Sequence, residues 1–333
     1  MKIRFKLFLL TLIIISIINI TGCKKKDGTN DGISHGKNYS EEEYNLETED
    51  GTIYGTLMTP EKMEKGTVAL IIAGSGPTDR NGNNPSISGE NNSLKMIAEA
   101  LAEEGVSSVR YDKRGIAQSS SLIKSEEELV FEDYIDDVRN WVEKLKEDER
   151  FSDIIIVGHS EGALIGAVAA SQADIQGYVS LAGMGSSAYD TLVRQLKDQP
   201  GKIAEKSQPI LDELKKGNLV ENIDKDLEAL FRPSVQPYMI SWFKYNPTEE
   251  ISKIEVPILI VQGTNDLQVT VEDAENLHQG NPDSKLILIE KMNHILKDAP
   301  KSKNRNFATY SKPDLPLNEE FVKELIEFVN NIN

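Results

Sequence analysis

The chain has 333 residues, 39% of them hydrophobic and 27% charged, which is enough apolar material for one large domain with a sizeable core. A formal net charge of −17 without any basic stripe excludes nucleic-acid binding and argues mildly against polyanionic substrates. The single cysteine excludes an internal disulfide.

Lys2, Arg4 and Lys6 precede an almost wholly apolar run from Leu7 to Ile20, and Ile20-Thr21-Gly22-Cys23 follows. A basic start, a short apolar stretch and small residues at the cut form a signal peptide, expected over residues 1–22. The tetrapeptide resembles the lipobox of bacterial lipoproteins, in which the cysteine becomes the lipidated first residue. That resemblance implies lipidation of Cys23 and an extracytoplasmic, membrane-anchored lipoprotein of a bacterium. An uncleaved transmembrane anchor is the rival, but the run is shorter than the roughly 20 residues a bilayer needs. Residues 23–40 are rich in Lys, Gly, Asp and Asn and are expected to form a flexible tether, with His35 in it.

Residues 41–333 read as one α/β domain. Tyr44 to Thr59 alternates apolar and polar residues across Asp50-Gly51, a hairpin signal suited to an antiparallel sheet edge. Thr67 to Ala73 is a buried strand that runs into the polar loop Gly74-Ser75-Gly76-Pro77 and onward to Asn84. Asn92 to Glu104 has helical spacing and stops at Gly105; Val106 to Tyr111 is the next strand. A long charged helix is expected over Glu126 to Arg150. Ile154 to Val157 is a fully buried strand, broken at Gly158-His159-Ser160-Glu161-Gly162 and continued by the small apolar helix Ala163 to Ala170. After a strand over Ile175 to Ala182 the α/β rhythm stops. Residues 186–250 carry helical and irregular pieces broken by prolines and read as an insertion, whose aromatics, among them Tyr238 and Trp242, are expected to pack it onto the body. The rhythm resumes with a strand over Val256 to Gln262, a helix from Val271, a strand over Lys285 to Glu290 and a closing helix over Leu317 to Ile332. Alternating strands and helices imply right-handed βαβ units and a sheet covered on both faces.

In such a sheet the loops at the carboxyl ends of the strands converge on one crevice. Three of them offer Ser160, Asp266 and His294. A serine hydroxyl is a poor nucleophile until an imidazole takes its proton, and the imidazole needs a carboxylate to hold its tautomer and stabilise its charge. Glycines flanking Ser160 allow a sharp turn that lifts the hydroxyl above the sheet; the bland alternative is a serine that caps the following helix. Of the four histidines, His35 is in the tether, His159 is expected to point away from Ser160, and His278 ends a helix. His294 alone follows a strand near the right edge. Asp266 follows a strand and a glycine turn, with an Asx turn as its bland alternative and Asp190 as the reserve carboxylate. The backbone N–H of Glu161 is one expected oxyanion donor, while its carboxylate is expected only to line the pocket. The second donor belongs in the Gly74-Ser75-Gly76 turn, with Ser75 favoured and Gly76 next. Losing one such donor costs about 3 kcal/mol in comparable enzymes. Arg80 and Arg114 are candidates either for a substrate carboxylate or for structural ion pairs.

Gly158-His159-Ser160-Glu161-Gly162, Gly263-x-x-Asp266, Asn293-His294 and Asp112-x-Arg114-Gly115 followed by Ser119 together resemble the α/β-hydrolase superfamily, in particular its bacterial carboxylesterase and dienelactone-hydrolase-like branches. Ala117 departs from the D-x-R-G-x-G-x-S pattern common there. The resemblance spans Tyr44 to Ile332. It implies a mostly parallel eight-stranded sheet with helices on both faces and a helical cap inserted after the sixth strand. It also implies hydrolysis of small-molecule carboxylic esters without a cofactor, and no cluster of ligand spacing suggests a metal. A peptidase, thioesterase or acyltransferase with the same three residues is the near alternative, and a surface binding protein that has lost activity the distant one.

Overall fold

The computed structural model describes residues 38–63, 65–197, 199 and 202–332. The expected signal peptide, Cys23 and nearly all of the expected tether lie outside these residues. In chain order the strands are β1 (Tyr39–Glu43), β2 (Leu46–Thr48), β3 (Gly51–Ile53), β4 (Gly55–Pro60), β5 (Gly66–Ile72), β6 (Ser107–Tyr111), β7 (Phe151–His159), β8 (Gly177–Leu181), β9 (Ile258–Gly263) and β10 (Lys285–Ile289). Eight of them form one sheet in the order β1-β4-β6-β5-β7-β8-β9-β10. The pairs β1/β4 and β4/β6 are antiparallel and the remaining neighbours parallel.

Strand β5 lies in the middle of this order, and the chain goes from it first to β6 on one side and then to β7 on the other. Loops leaving β5 and β7 therefore diverge to opposite faces, and a crevice opens between them at the carboxyl ends of the strands. The register sets Ile72 opposite Gly158, so the turn after β5 and the turn after β7 meet at that crevice.

Helix α1 (Ser93–Glu103) connects β5 to β6; α2 (Phe131–Glu147) precedes β7 and α3 (Glu161–Ala170) follows it. Alternate residues of the central strands bury opposite faces. Val68, Leu70, Ile72, Ile154 and Ile156 pack with Trp141 of α2 and Leu164 of α3. Ala69, Ile71, Ile155 and Val157 pack with Leu94 and Ile97 of α1. This is why the strands read as unbroken β-branched runs: both faces are core, and each such fully buried isoleucine contributes about 2 kcal/mol.

Between β8, the sixth strand of the large sheet in chain order, and β9 the described residues form only helices: α4 (Ala188–Lys197), α5 (Ile203–Lys215), α6 (Glu228–Phe231), α7 (Gln236–Trp242) and α8 (Pro247–Ile251), with short 3-10 turns between them. Trp242 of α7 stacks on Phe131 at 6.0 Å, and Tyr238 meets Tyr134 edge-on at 5.8 Å. The aromatics of this insertion thus pack it onto α2, as the sequence implies. The chain ends with α9 (Val271–Gly280), α10 (Lys303–Phe307) and α11 (Glu319–Asn330); Phe321 and Phe328 of α11 share the α1 face of the sheet.

Three boundaries differ from the sequence reading. The hairpin across Asp50-Gly51 forms, but β2 and β3 make a separate two-stranded sheet rather than the edge of the large one. That edge is β1, which begins at Tyr39, inside the segment expected to be tether. Its sequence YSEEE has no apolar alternation because it is mostly exposed; backbone pairing to β4 and the ion pair from Glu41 to the buried Arg110 recruit it. Charged residues on an edge strand also discourage pairing with other chains. Helix α2 starts at Phe131 instead of Glu126. Residue 130 is a valine and cannot cap, so the first turn takes its acceptors from Asp133, which accepts from the Val130 N–H, and from the Ser241 hydroxyl of the insertion, which accepts from the Phe131 N–H at 2.8 Å.

Candidate active site

Ser160 follows β7 directly and adopts φ 56° and ψ −119°, a left-handed conformation that costs on the order of 1–3 kcal/mol for a residue with a side chain. Its hydroxyl does not cap α3, which removes the bland alternative. The two flanking glycines are required by close approach. A Cβ on Gly158 would lie 2.3 Å from the Gly162 carbonyl oxygen, and one on Gly162 would lie 2.5 Å from the Ile72 carbonyl oxygen. The turn is clamped between the end of β5 and the start of α3, and strain is held there by packing. The first N–H groups of α3, Glu161 among them, have no intrahelical acceptor and carry the positive end of the helix dipole.

His294 stands in the loop after β10. Its Nδ1–H donates to Asp266 Oδ2 at 2.7 Å, since a carboxylate only accepts; Nε2 is left as the basic nitrogen. Asp266, in the loop after β9, has a fully buried side chain. Its Oδ1 accepts from the backbone N–H groups of Gln268 and Val269 at 2.7 and 3.0 Å, and Oδ2 also accepts from Gln262 Nε2 at 3.2 Å. The Asx turn and the histidine partnership are both present, one per oxygen. Helix α9 is capped instead by Thr270 and Asp273. Asp190 is exposed at the start of α4 and accepts from the Ser187 hydroxyl, which leaves Asp266 as the carboxylate on His294.

His159 differs from expectation. It does not point away from the site: its ring centroid is 4.9 Å from that of His294, and its Nε2–H donates to the His294 carbonyl at 2.7 Å. On its other side, a Cβ built on Gly74 would lie 3.3 Å from His159 Nδ1 and 3.2 Å from the Ser160 Cβ. The turn after β5, the Ser160 turn and the His294 loop therefore meet on one rim. Burial first, and the neighbouring His294 second, push His159 down to about 3, so it stays neutral. An unfolded histidine titrates near 6.5. Between those values the unfolded chain holds the extra proton, so stability is full above about pH 6.5 and is lost as the pH falls toward 3, by about 1.4 kcal/mol per pH unit. His159→Gln, which keeps a donor for the His294 carbonyl, is expected to flatten the acid limb of a urea-melt stability profile relative to the wild type. Parallel profiles would contradict this role.

The His294 loop is pinned by Asn293, which the sequence shows only as part of a motif, and by Lys297, which it leaves unremarked. Asn293 is buried and donates to Thr309 Oγ1 at 2.8 Å, while its own oxygen accepts from the Lys297 N–H. The buried Lys297 ammonium donates to the carbonyls of Asn91 at 2.6 Å and Lys312 at 3.0 Å.

The Glu161 carboxylate is also misjudged by the sequence. It does more than line a pocket: it forms an ion pair with Lys113 at 2.6 Å and accepts from the Tyr238 hydroxyl at 2.8 Å, with the Lys113 and Glu161 side chains 1% and 2% exposed. Position 161 faces inward because its backbone opens α3, and a carboxylate there needs a cation; Lys113, just after β6, is in reach. Ser75 sits half-buried after β5, with its carbonyl accepting from the Thr78 hydroxyl at 2.8 Å. Arg80 pairs with Asp112 at 2.7 Å, and Arg114 pairs with Asp137 and Asp50 at 2.7 and 3.0 Å, so both arginines are ion-pair partners. A groove of 1590 Å³ begins beside the 74–76 turn at Pro77 and runs between Ile116, Ile123 and the insertion residues Arg232 and Pro233. Among the described residues no group of three or more His, Cys, Asp or Glu side chains is arranged to hold a metal ion.

Residues 90–237 match the family described as serine aminopeptidase, S33. Esterase EstD of Thermotoga maritima is 25% identical over 255 residues, which is 73% of this chain and 57% of that protein, so the chain spans little more than half of that relative's length. Among solved structures, Est1E of Butyrivibrio proteoclasticus with bound ferulic acid superposes with a TM-score of 0.57 at 17% identity, covering 86% of this chain and 99% of that one. The Pyrococcus furiosus esterase Pf2001 gives 0.56 at 17% identity, over 89% and 94%. With its strand order, its left-handed serine turn after β7 and these likenesses together, the chain is an α/β-hydrolase by fold.

Proposed function

We propose that this protein is a serine hydrolase that cleaves carboxylic esters of small to medium acyl groups. Ser160 attacks the ester carbonyl as His294 Nε2 takes its proton, and Asp266 holds the tautomer and balances the imidazolium. The tetrahedral oxyanion is met by the N–H groups of Ser75 and Glu161, helped by the α3 dipole. His294 returns the proton to the leaving alcohol; water, activated by the same nitrogen, then releases the acid and restores Ser160. The observation that supports this reading is the contact of His159, the neighbour of Ser160 in the strained turn, with His294, which is hydrogen-bonded to Asp266. The esterase names of the curated and structural relatives support esters as substrates. The serine aminopeptidase match favours one rival, amide cleavage by the same residues. Fluorophosphonate labelling, run beside p-nitrophenyl acetate and butyrate, an aminoacyl p-nitroanilide and a thioester, separates them. Labelling with fastest turnover of the short esters is expected; faster anilide turnover favours the rival, and neither labelling nor turnover sinks both.

We also infer that the chain is a bacterial lipoprotein held outside the cytoplasm by acyl chains on Cys23, a reading supported by residues 1–23 alone. Full-length protein is expected to sediment with membranes and Cys23→Ala to appear in the soluble fraction; equal sedimentation of the two would count against the anchor.

A further inference from the structure

Lys113 makes a second bond besides its pair with Glu161: its ammonium donates to the Gly74 carbonyl at 2.9 Å. The Gly74 carbonyl and the Ser75 N–H are the two ends of one planar trans amide, so fixing the oxygen fixes the direction of the N–H. A cation on the oxygen also draws charge through the amide and makes the N–H at the far end a stronger donor. Glu161 holds the ammonium through its carboxylate, and its own backbone N–H is the other proposed oxyanion donor. Tyr238 of the insertion bonds the remaining carboxylate oxygen; burial and Glu161 beside it push the Tyr238 hydroxyl well above its usual value, so it remains a donor. The Tyr134 ring lies 4.6 Å from the ammonium and closes the pair off from water. A buried ion pair is a costly way to gain stability, because desolvation offsets most of the attraction. Here each of its bonds ends on the machinery around Ser160 or on the insertion above it.

We propose that Lys113, held by Glu161, is a positioning residue that orients and polarises the Gly74–Ser75 peptide as an oxyanion donor, and that Tyr238 couples the insertion to the same donor. This rests on the serine-hydrolase reading above. The arrangement acts only once negative charge develops on the substrate oxygen, so it lowers the transition state and leaves ground-state binding alone.

The test is the double substitution Lys113→Met with Glu161→Gln. It removes both charges together, keeps side-chain volume and both backbone N–H groups, and leaves Tyr238 an acceptor. Active sites are counted by fluorophosphonate titration, so that loss of folded protein is separated from slower chemistry. Per titrated site, kcat for p-nitrophenyl butyrate is expected to fall about 30-fold, less than for outright loss of a donor, with KM within about threefold. Lys113→Arg, which keeps a cation at the carbonyl, is expected to recover part of the loss. A kcat per site within about threefold of wild type, or a rise in KM that accounts for the whole effect, would overturn the proposal and leave Lys113 a structural residue. Should the double variant not fold, Glu161→Gln alone is expected to lower kcat about fivefold by loosening the ammonium, and an unchanged kcat overturns the proposal equally. A wild-type protein that is neither labelled nor active sinks the hydrolase reading and this proposal with it, which is distinct from an active wild type with an equally active variant.

Discussion

Ser160→Ala is expected to lower kcat on p-nitrophenyl butyrate by about 10⁵-fold and to abolish fluorophosphonate labelling, with KM little changed. On the proposed mechanism the loss is large because Ser160 alone forms the acyl-enzyme: the proposed oxyanion donors and His294 remain, but only water is left to attack. The fold is expected to survive, since the hydroxyl does not cap α3 and the turn is held by Gly158 and Gly162 against β5 and α3. Alanine keeps the left-handed strain at φ 56°, so a thermal melt should match the wild type, whereas Ser160→Gly should be equally inactive and more stable by about 1 kcal/mol. An alanine variant that keeps turnover per milligram of protein would remove Ser160 as the nucleophile.

Asp266→Asn is expected to lower kcat by about 10⁴-fold while the protein stays folded. The direction follows from the hydrogen bonds on each oxygen. Oδ1 accepts two backbone N–H groups, from Gln268 and Val269, so the asparagine oxygen must take that place and its NH₂ must take the place of Oδ2. There the NH₂ donates to His294 Nδ1, which forces the proton onto Nε2, the nitrogen that the proposed mechanism needs bare to receive one from Ser160. The same NH₂ meets the Gln262 amide donor, and this donor–donor contact should cost about 1 kcal/mol of stability. The pH–rate profile separates the two effects: a tautomer change should restore activity at alkaline pH, where hydroxide substitutes for the base, whereas an unfolded variant stays inactive throughout. A variant within tenfold of wild type at neutral pH would deny Asp266 its role on His294.

Much of the architecture is legible along the chain itself. The β-branched runs in β5, β7 and β9 announce strands buried on both faces, and the Gly158-x-Ser160-x-Gly162 turn announces its own geometry because two glycines are needed within reach of two backbones. His294 and Asp266 are candidates from their places after β10 and β9, and a hydrogen bond joins them, but setting His159 aside rests on an orientation that the fold reverses. Less legible is β1, because an exposed edge strand needs no apolar period and its first residues, Tyr39 and Ser40, continue the polar run of the expected tether. The start of α2 was misplaced because its acceptors come from Asp133 and from Ser241, a residue 110 positions away.

Near neighbours and periodic burial, both readable along the chain, account for the alternation of strands and helices, the helical stretch after β8 and the sharp turn at Ser160. Which distant groups become partners is settled by the three-dimensional fold. It paired His294 with Asp266 and left Asp190 at the surface; it turned His159 against His294, and it joined Lys113, Glu161 and Tyr238 into one buried cluster behind the Gly74 carbonyl. The physical reason is that a charge or hydrogen-bonding group taken out of water must find a partner wherever the fold supplies one, and that place is fixed by strand order rather than by distance along the chain.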